Sequence, residues 1–464
     1  MRKRPAFATS PRLNLRNLIL SEPLGEALSP DTSVFEGNAL SNAAPARSAR
    51  NAICAFPGID AHGRDISLPI SESLLSTHML ILGGIGMGKS NAFFHLLSQL
   101  QKRLTQDDVM IVFDTKGDYH QNFYRPGIDV VISNDDKATG PKQKDYWNIF
   151  REIDVDDRLE ENTLEIAKTL FCEKINRSSQ PFFPNAAKDI LSAILSILPT
   201  FSVMRGRENN AELRNFLDQV PPDRLHGILE GRPEFRALAS YIAPKAAGQA
   251  QGVFSEMQQL AREVFMGNFR RKGTMSMRRL VREKRGRIIF VEYDLGIGQV
   301  LSPAYRLLFD LAIKEALCRR EGERGNVYFF MDEFRLIPLL QHVDDGVNFG
   351  RSLGAKFVIG VQNIGQVYNA YTEPLARSLL SGFNTLVAFR VHDEQTRRFV
   401  KDVFGANRKR DVYMSTVQTR GVVENVRDAQ VVEDWDILNL GRGDAIIGLP
   451  SSAPFRFHFK RYSE

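Results

Sequence analysis

Hydrophobic and polar positions divide the chain into three kinds of stretch. Residues 1–50 are rich in Ser, Pro, Asn, Ala and Arg and keep neither a helical nor a strand period, which predicts a loosely ordered basic arm. A dense apolar run then opens at Met79-Leu80-Ile81-Leu82 and enters Gly83-Gly84-Ile85-Gly86-Met87-Gly88-Lys89-Ser90. It continues to residue 104 with Phe93, Phe94, Leu97, Leu100 and Leu104 at helical spacing. That order predicts strand, glycine loop, helix. Short apolar runs at 109–114, 129–133, 288–294, 327–334, 356–362, 386–391 and 445–449 predict further strands, several separated by helical stretches such as 305–320. The alternation predicts an α/β fold, a mostly parallel central sheet with helices on both faces. From about 155 to 286 the pattern is almost wholly helical, including 185–198 and 249–265. The middle of it, 195–268, reads as an all-helical subdomain inserted into a motor domain built from 51–194 and 269–464.

The glycine loop completes the pattern Gly-x-x-x-x-Gly-Lys-Ser, whose mechanics are specific. Glycines let backbone N–H groups approach phosphate oxygens, and the following helix N-terminus favours negative charge. The nucleotide-binding residues are therefore Gly83, Gly84, Ile85, Gly86, Met87, Gly88, Lys89, Ser90 and Asn91. Lys89 is expected on the β and γ phosphates of ATP and Ser90 on Mg²⁺. The apolar run from Val327 to Met331 ends in Asp332-Glu333. Such a pair can simply cap the next helix. In a chain that also carries the glycine loop, Asp332 is expected to hold the Mg²⁺ shell and Glu333 to polarise the attacking water.

Two later residues are less determined by spacing. Arg351 in Gly350-Arg351-Ser352 and Gln362 at a strand end fit a cation against the γ-phosphate and a γ-phosphate sensor, and equally fit surface positions. Asp114, in Asp114-Thr115-Lys116-Gly117-Asp118, ends another strand without a following Glu and is expected to border the site. A basic run, Arg270 to Arg287, suits either phosphate contacts or a solvated charged face.

Composition narrows the class a little further. With 43% hydrophobic and 25% charged residues the chain is that of a folding globular protein. A net charge of +6 suits a polyanionic partner without proving one. Cys54, Cys172 and Cys318 lie far apart, so neither a zinc cluster nor a disulfide framework is indicated and a reducing cytoplasm fits. No apolar run approaches the length of a spanning helix.

At these residues the chain resembles a family, the type IV coupling proteins of bacterial conjugation and secretion within the FtsK and HerA superfamily. The resemblance runs from about Thr77 to Tyr462. It is carried by Thr77-His78, the Asp114 to Asp118 turn, Trp147-Asn148-Ile149-Phe150, Pro181-Phe182-Phe183 with Ala186-Ala187, Met331 to Phe334, and Gly350-Arg351-Ser352 leading to Gln362. It implies a RecA-like P-loop NTPase domain with a helical insertion, assembled as a homo-hexamer that moves DNA or a DNA-linked relaxase toward a secretion channel. It also implies that Arg351 is an arginine finger acting on a neighbouring subunit and that Gln362 senses the γ-phosphate. Most members carry two N-terminal transmembrane helices where this chain has its basic arm. The expectation is a cytoplasmic protein that reaches the inner face of the membrane only through a partner. Three other readings use the same residues: a motor for protein cargo, a soluble HerA-like DNA-processing translocase, and an ATP-gated docking module. Glu333 argues against the last, because a pure binder has no need of a hydrolytic base.

Overall fold

A computed structural model describes residues 31–60, 62–136, 145–414 and 422–463. In chain order the strands are β1 Asp31–Glu36, β2 Ala52–Ile59, β3 Asp65–Ser71, β4 Met79–Leu82, β5 Val109–Asp114, β6 Val130–Ile132 and β7 Arg287–Glu292. There follow β8 Val327–Met331, β9 Ala355–Val361, β10 Thr385–Phe389, β11 Ala406–Met414, β12 Val422–Gln430, β13 Asp444–Gly448 and β14 Phe455–Phe459.

The main sheet has the order β3-β2-β14-β13-β10-β4-β9-β8-β5-β7-β6. From β10 to β6 every neighbouring pair is parallel. Strands β4, β5, β7, β8, β9 and β10 are buried at every position. That explains their unbroken apolar sequence, since a parallel strand is covered on both faces. On one face the helix Lys89–Gln101 sets Phe93, Leu96 and Leu97 into a cluster with Met110, Val112, Phe330 and Val358. On the other, the helix Ser302–Leu317 brings Phe309 edge-on to Phe113, ring centroids 5.5 Å apart.

Strands β2, β3, β13 and β14 extend the sheet in antiparallel fashion. Of these only β13 follows from the apolar runs. Pro57, Gly58 and Pro69 interrupt the pattern of β2 and β3, whose register pairs Ala55 with Pro69 and Pro57 with Ser67. Strand β14 does carry a period of two, with Phe455, Phe457 and Phe459 buried and His458 exposed.

A second compact unit consists of residues 31–40 and Val400–Glu433. It is a three-stranded antiparallel sheet in the order β1-β11-β12, laced by Arg427–Asp411 at 2.8 Å and Lys409–Glu433 at 3.1 Å. The expectation of an arm without strand structure through residue 50 is thus corrected at Asp31–Glu36, where pairing with β11 supplies the order that local sequence lacks. Residues 1–30 lie outside the described residues.

Between β6 and β7 the chain runs through helices, the longest being Leu159–Arg177, Phe182–Ile197 and Ala247–Val264. They belong to the same compact unit as the main sheet. Buried Trp147 and Asn148 anchor this region: Trp147 Nε1 donates to Glu152 Oε1 at 2.8 Å, and Asn148 Nδ2 donates to the Glu208 and Gly273 carbonyls.

Candidate functional site

Because β4, β5, β8 and β9 run parallel, their carboxyl ends share one edge of the sheet. Register sets the spacing along it: Leu82 faces Val361, Met331 faces Ile359, and Phe113 faces Met331. Gly83, Gln362, Asp332 and Asp114 therefore leave adjacent strands side by side.

The glycine loop is fixed at its base and free at its crest. Gly83 N–H donates to the Val361 carbonyl at 3.2 Å and Gly84 N–H to the Arg390 carbonyl at 2.9 Å, whereas Ile85 is 83% exposed. Gly88 has φ of 128°, a conformation that side chains resist, and a Cβ there would meet the Phe389 ring at 2.8 Å. The helix starts at the next residue, so its first N–H groups face the loop. Lys89 folds back under the loop and is only 6% exposed. Burial lowers its pKa, and the Asp332 and Glu333 carboxylates oppose that shift. Asn91 lies in the first turn of that helix, with its side chain on the Lys460 carbonyl at 3.0 Å and the Tyr462 N–H at 2.7 Å, where it secures residues 460–462.

The acidic half lies alongside. Asp332 Oδ2 accepts from Ser90 Oγ at 2.6 Å and from the Tyr119 hydroxyl at 2.8 Å. Asp332 Oδ1 is buried and has no hydrogen-bond partner among the described residues. Close approach of β9 requires Gly360, where a Cβ would sit 2.3 Å from the Asp332 carbonyl oxygen. Glu333 Oε1 accepts from Gln362 Nε2 at 2.5 Å, and its Oε2 lies 3.5 Å from Arg335 Nε. The two carboxylates thus have different surroundings. One faces the glycine loop's hydroxyl; the other is held by the strand-end amide.

A cleft between these elements is lined by Ser90, Asp114, Lys116, Tyr119, Asp332 and Glu333. Asp114 borders it and is buried. Burial raises its pKa, against the N–H groups of His120, Lys116 and Gly117 that donate to it. The donor set toward an ion here is oxygen only, the Ser90 hydroxyl and the orphaned Asp332 Oδ1. That set fits Mg²⁺ and no thiophilic metal.

Sequence-predicted residues separate into two groups. Lys89, Ser90, Asp332, Glu333 and Gln362 converge. Arg351 does not: it is exposed in a short 3-10 turn, Gly350–Leu353, that precedes β9. At about 3.3 Å per residue, β9 puts roughly 20 Å between Arg351 and Gln362. Among the basic run, Arg271 pairs with Asp136 at 2.6 Å, Arg279 with Asp154 at 2.8 Å, Arg282 with Glu315 at 2.7 Å and Lys284 with Glu323 at 3.5 Å. Arg278 is buried between Asp156 and Glu315. The run is largely a paired structural face. Sequence reasoning missed Tyr119, Gly360 and Phe389, which act on the site from neighbouring elements.

Strand, glycine loop, helix and an acid-tipped parallel strand define a RecA-like P-loop NTPase fold. A sequence profile of the type IV secretion-system coupling protein DNA-binding domain matches residues 65–457, most of the chain, and the chain belongs to that family. The coupling protein TraD of Escherichia coli strain K12 is 22% identical over 358 residues, 75% of this chain and 46% of TraD. The chain therefore spans about half the length of that curated relative. The bacterial conjugative coupling protein TrwBdeltaN70 superposes with a TM-score of 0.70 at 19% identity, covering 88% of each chain. The plasmid coupling protein TrwB in complex with ADP and Mg²⁺ gives 0.68 at 17% identity, over 94% of this chain and 96% of that one. At such identities the likeness speaks for the fold, which these proteins share.

Proposed function

We propose that this chain is the motor of a type IV coupling protein: a Mg²⁺-dependent ATPase that moves DNA, or a DNA-relaxase complex, toward a secretion channel. The observation that carries the reading is the convergence of Lys89, Ser90, Asp332, Glu333 and Gln362 on one sheet edge. Lys89 and the loop N–H groups hold the β and γ phosphates. Ser90 and Asp332 would hold Mg²⁺, which when bound neutralises charge developing on those phosphates. Glu333, oriented by Gln362, aligns a water and takes its proton. Arg351, on the far edge, serves the nucleotide of the next subunit in a homo-hexamer, and the helical segment 195–268 reads the cargo. The DNA-binding description of the family and the conjugative role named for its relatives support DNA as cargo. No described helix is long and apolar enough to cross a membrane. In this reading a partner brings the motor to the membrane face.

The test is steady-state ATP hydrolysis by the full chain, with and without single- and double-stranded DNA at low salt, where phosphate contacts are strongest. DNA should stimulate hydrolysis severalfold. Lys89→Ala should lose both nucleotide binding and turnover; Glu333→Gln should bind nucleotide and not turn it over. Hydrolysis indifferent to either DNA would move the reading to protein cargo, and turnover by Glu333→Gln would remove Glu333 as the base.

A further inference from the structure

We infer that Tyr119 is a positioning residue for the metal-holding carboxylate, and that the Asp114 to Asp118 turn exists at this site to aim it. The inference rests on the proposed role of Asp332 at Mg²⁺. Nothing in the P-loop motif set calls for a tyrosine here, yet its hydroxyl donates to Asp332 Oδ2 at 2.8 Å. The same oxygen accepts from Ser90. Ser90 is itself a ligand in the proposed site, so Tyr119 is the donor to Asp332 that binds no ion itself. With Oδ2 held this way, the unpartnered Oδ1 is the atom left for an ion.

The path from sequence to that hydroxyl is short. Asp114 ends β5, and its carboxylate accepts from Lys116 N–H at 3.2 Å, Gly117 N–H at 2.9 Å and His120 N–H at 2.8 Å. These three bonds wrap the backbone around the carboxylate. Gly117, with φ of 75°, turns the chain into the helix Asp118–Phe123. Tyr119 sits in its first turn, 4% exposed, with Phe94 at 5.0 Å and Phe93 at 6.4 Å between ring centroids. Both phenylalanines lie on the glycine-loop helix, so one element positions the Ser90 donor and walls the Tyr119 ring. Through these contacts the Asp-x-Lys-Gly-Asp turn ties the carboxyl end of β5 to that of β8.

The experiment compares the full chain with Tyr119→Phe and Asp332→Asn, reading fluorescent ADP affinity in EDTA and across a Mg²⁺ titration, with Tm alongside. Tyr119→Phe keeps the ring and removes one hydrogen bond to a charged group. It should raise the Mg²⁺ concentration needed for half-maximal tightening about tenfold. Affinity in EDTA should stay at the wild-type value, and Tm should fall by no more than the few degrees that one lost hydrogen bond costs. An unaltered Mg²⁺ curve for Tyr119→Phe beside a shifted one for Asp332→Asn overturns the inference and spares the Asp332 assignment. Equal weakening of Tyr119→Phe in EDTA and Mg²⁺ reduces Tyr119 to a packing residue and also overturns it. If Asp332→Asn leaves the curve in place, the metal assignment fails and takes the inference with it.

Discussion

At the scale of single residues, the glycine loop shows how much chemistry a sequence states outright and what it leaves unsaid. Gly-x-x-x-x-Gly-Lys-Ser is legible because each residue type answers a local need: backbone approach, a cation, a hydroxyl. What the pattern does not state is which neighbour enforces each glycine. Phe389, from a strand far later in the chain, packs so close that a Cβ on Gly83 would meet its Cβ at 2.7 Å, and one on Gly88 its ring at 2.8 Å. At Gly88 two separate obstacles coincide, the ring and a φ of 128°. Gly88→Ala should weaken nucleotide binding at least about tenfold, since strain of this kind costs about 1–3 kcal/mol. Adding Phe389→Leu removes the steric obstacle only, so the double variant should stay impaired in the same binding measurement. Full recovery would mean that packing alone, and not backbone conformation, demands the glycine. Tyr119 was illegible for the same reason as Phe389. Its meaning lies in a contact across 213 positions.

Among elements, the parallel strands were legible and the antiparallel flank largely was not. A strand covered on both faces must be apolar throughout; β2 and β3 lie toward the sheet's edge, where prolines are tolerated and the apolar signal is diluted. The basic run was illegible for another reason, because its partners come from two other stretches of chain, Asp136 and Asp154 before it and Glu315 and Glu323 after it. The segment leaving Glu333 also depends on remote partners. Arg306 Nε donates to the Pro338 carbonyl at 2.7 Å, the Tyr371 hydroxyl accepts from Leu340 N–H at 3.1 Å, and Asp310 Oδ1 accepts from the Gln341 and His342 N–H groups. His342 in turn meets Glu165 of the helix Leu159–Arg177 at 2.6 Å. Asp310 is fully buried and its Oδ2 has no hydrogen-bond partner among the described residues. Burial lifts its pKa to about 7, against the pull of His342 and Arg306. The folded state therefore holds a proton that the unfolded state gives up near the ordinary aspartate value of 3.8. Stability linked to this group is fully present below that value and is lost as pH rises to about 7. An amide at this position still accepts from both N–H groups and carries no charge. Asp310→Asn should match the wild type near pH 4 and gain on it toward pH 8 by on the order of 3 kcal/mol. Thermal melts of the two proteins across that range check the sign; a constant difference would show that Asp310 is ionised in the fold throughout.

For the whole molecule, the decisive fact is that a parallel sheet has two unlike edges. One bears the nucleotide machinery, and the other bears Arg351, exposed and without an ion pair among the described residues. Within one subunit the two are separated by the length of β9, roughly 20 Å, farther than an arginine reaches. If Arg351 takes part in hydrolysis, it does so across a heterologous contact, in which one subunit's far edge faces the next subunit's nucleotide edge. Such contacts form a ring when the rotation between neighbours closes, as the proposed hexamer requires. Two inactive variants can then repair each other. Lys89→Ala lacks a working nucleotide site and keeps its arginine; Arg351→Ala keeps the site and lacks the arginine. Each alone should show less than about a tenth of wild-type DNA-stimulated hydrolysis, given the size of arginine-finger effects. Random co-assembly leaves about one interface in four with both parts intact, so the mixture should recover a measurable fraction of the wild-type rate. Full activity of Arg351→Ala alone would make Arg351 a surface residue. Loss in both variants without recovery on mixing, despite exchange of subunits shown by differential labelling, would place the action of Arg351 within its own subunit and contradict the separation set by β9.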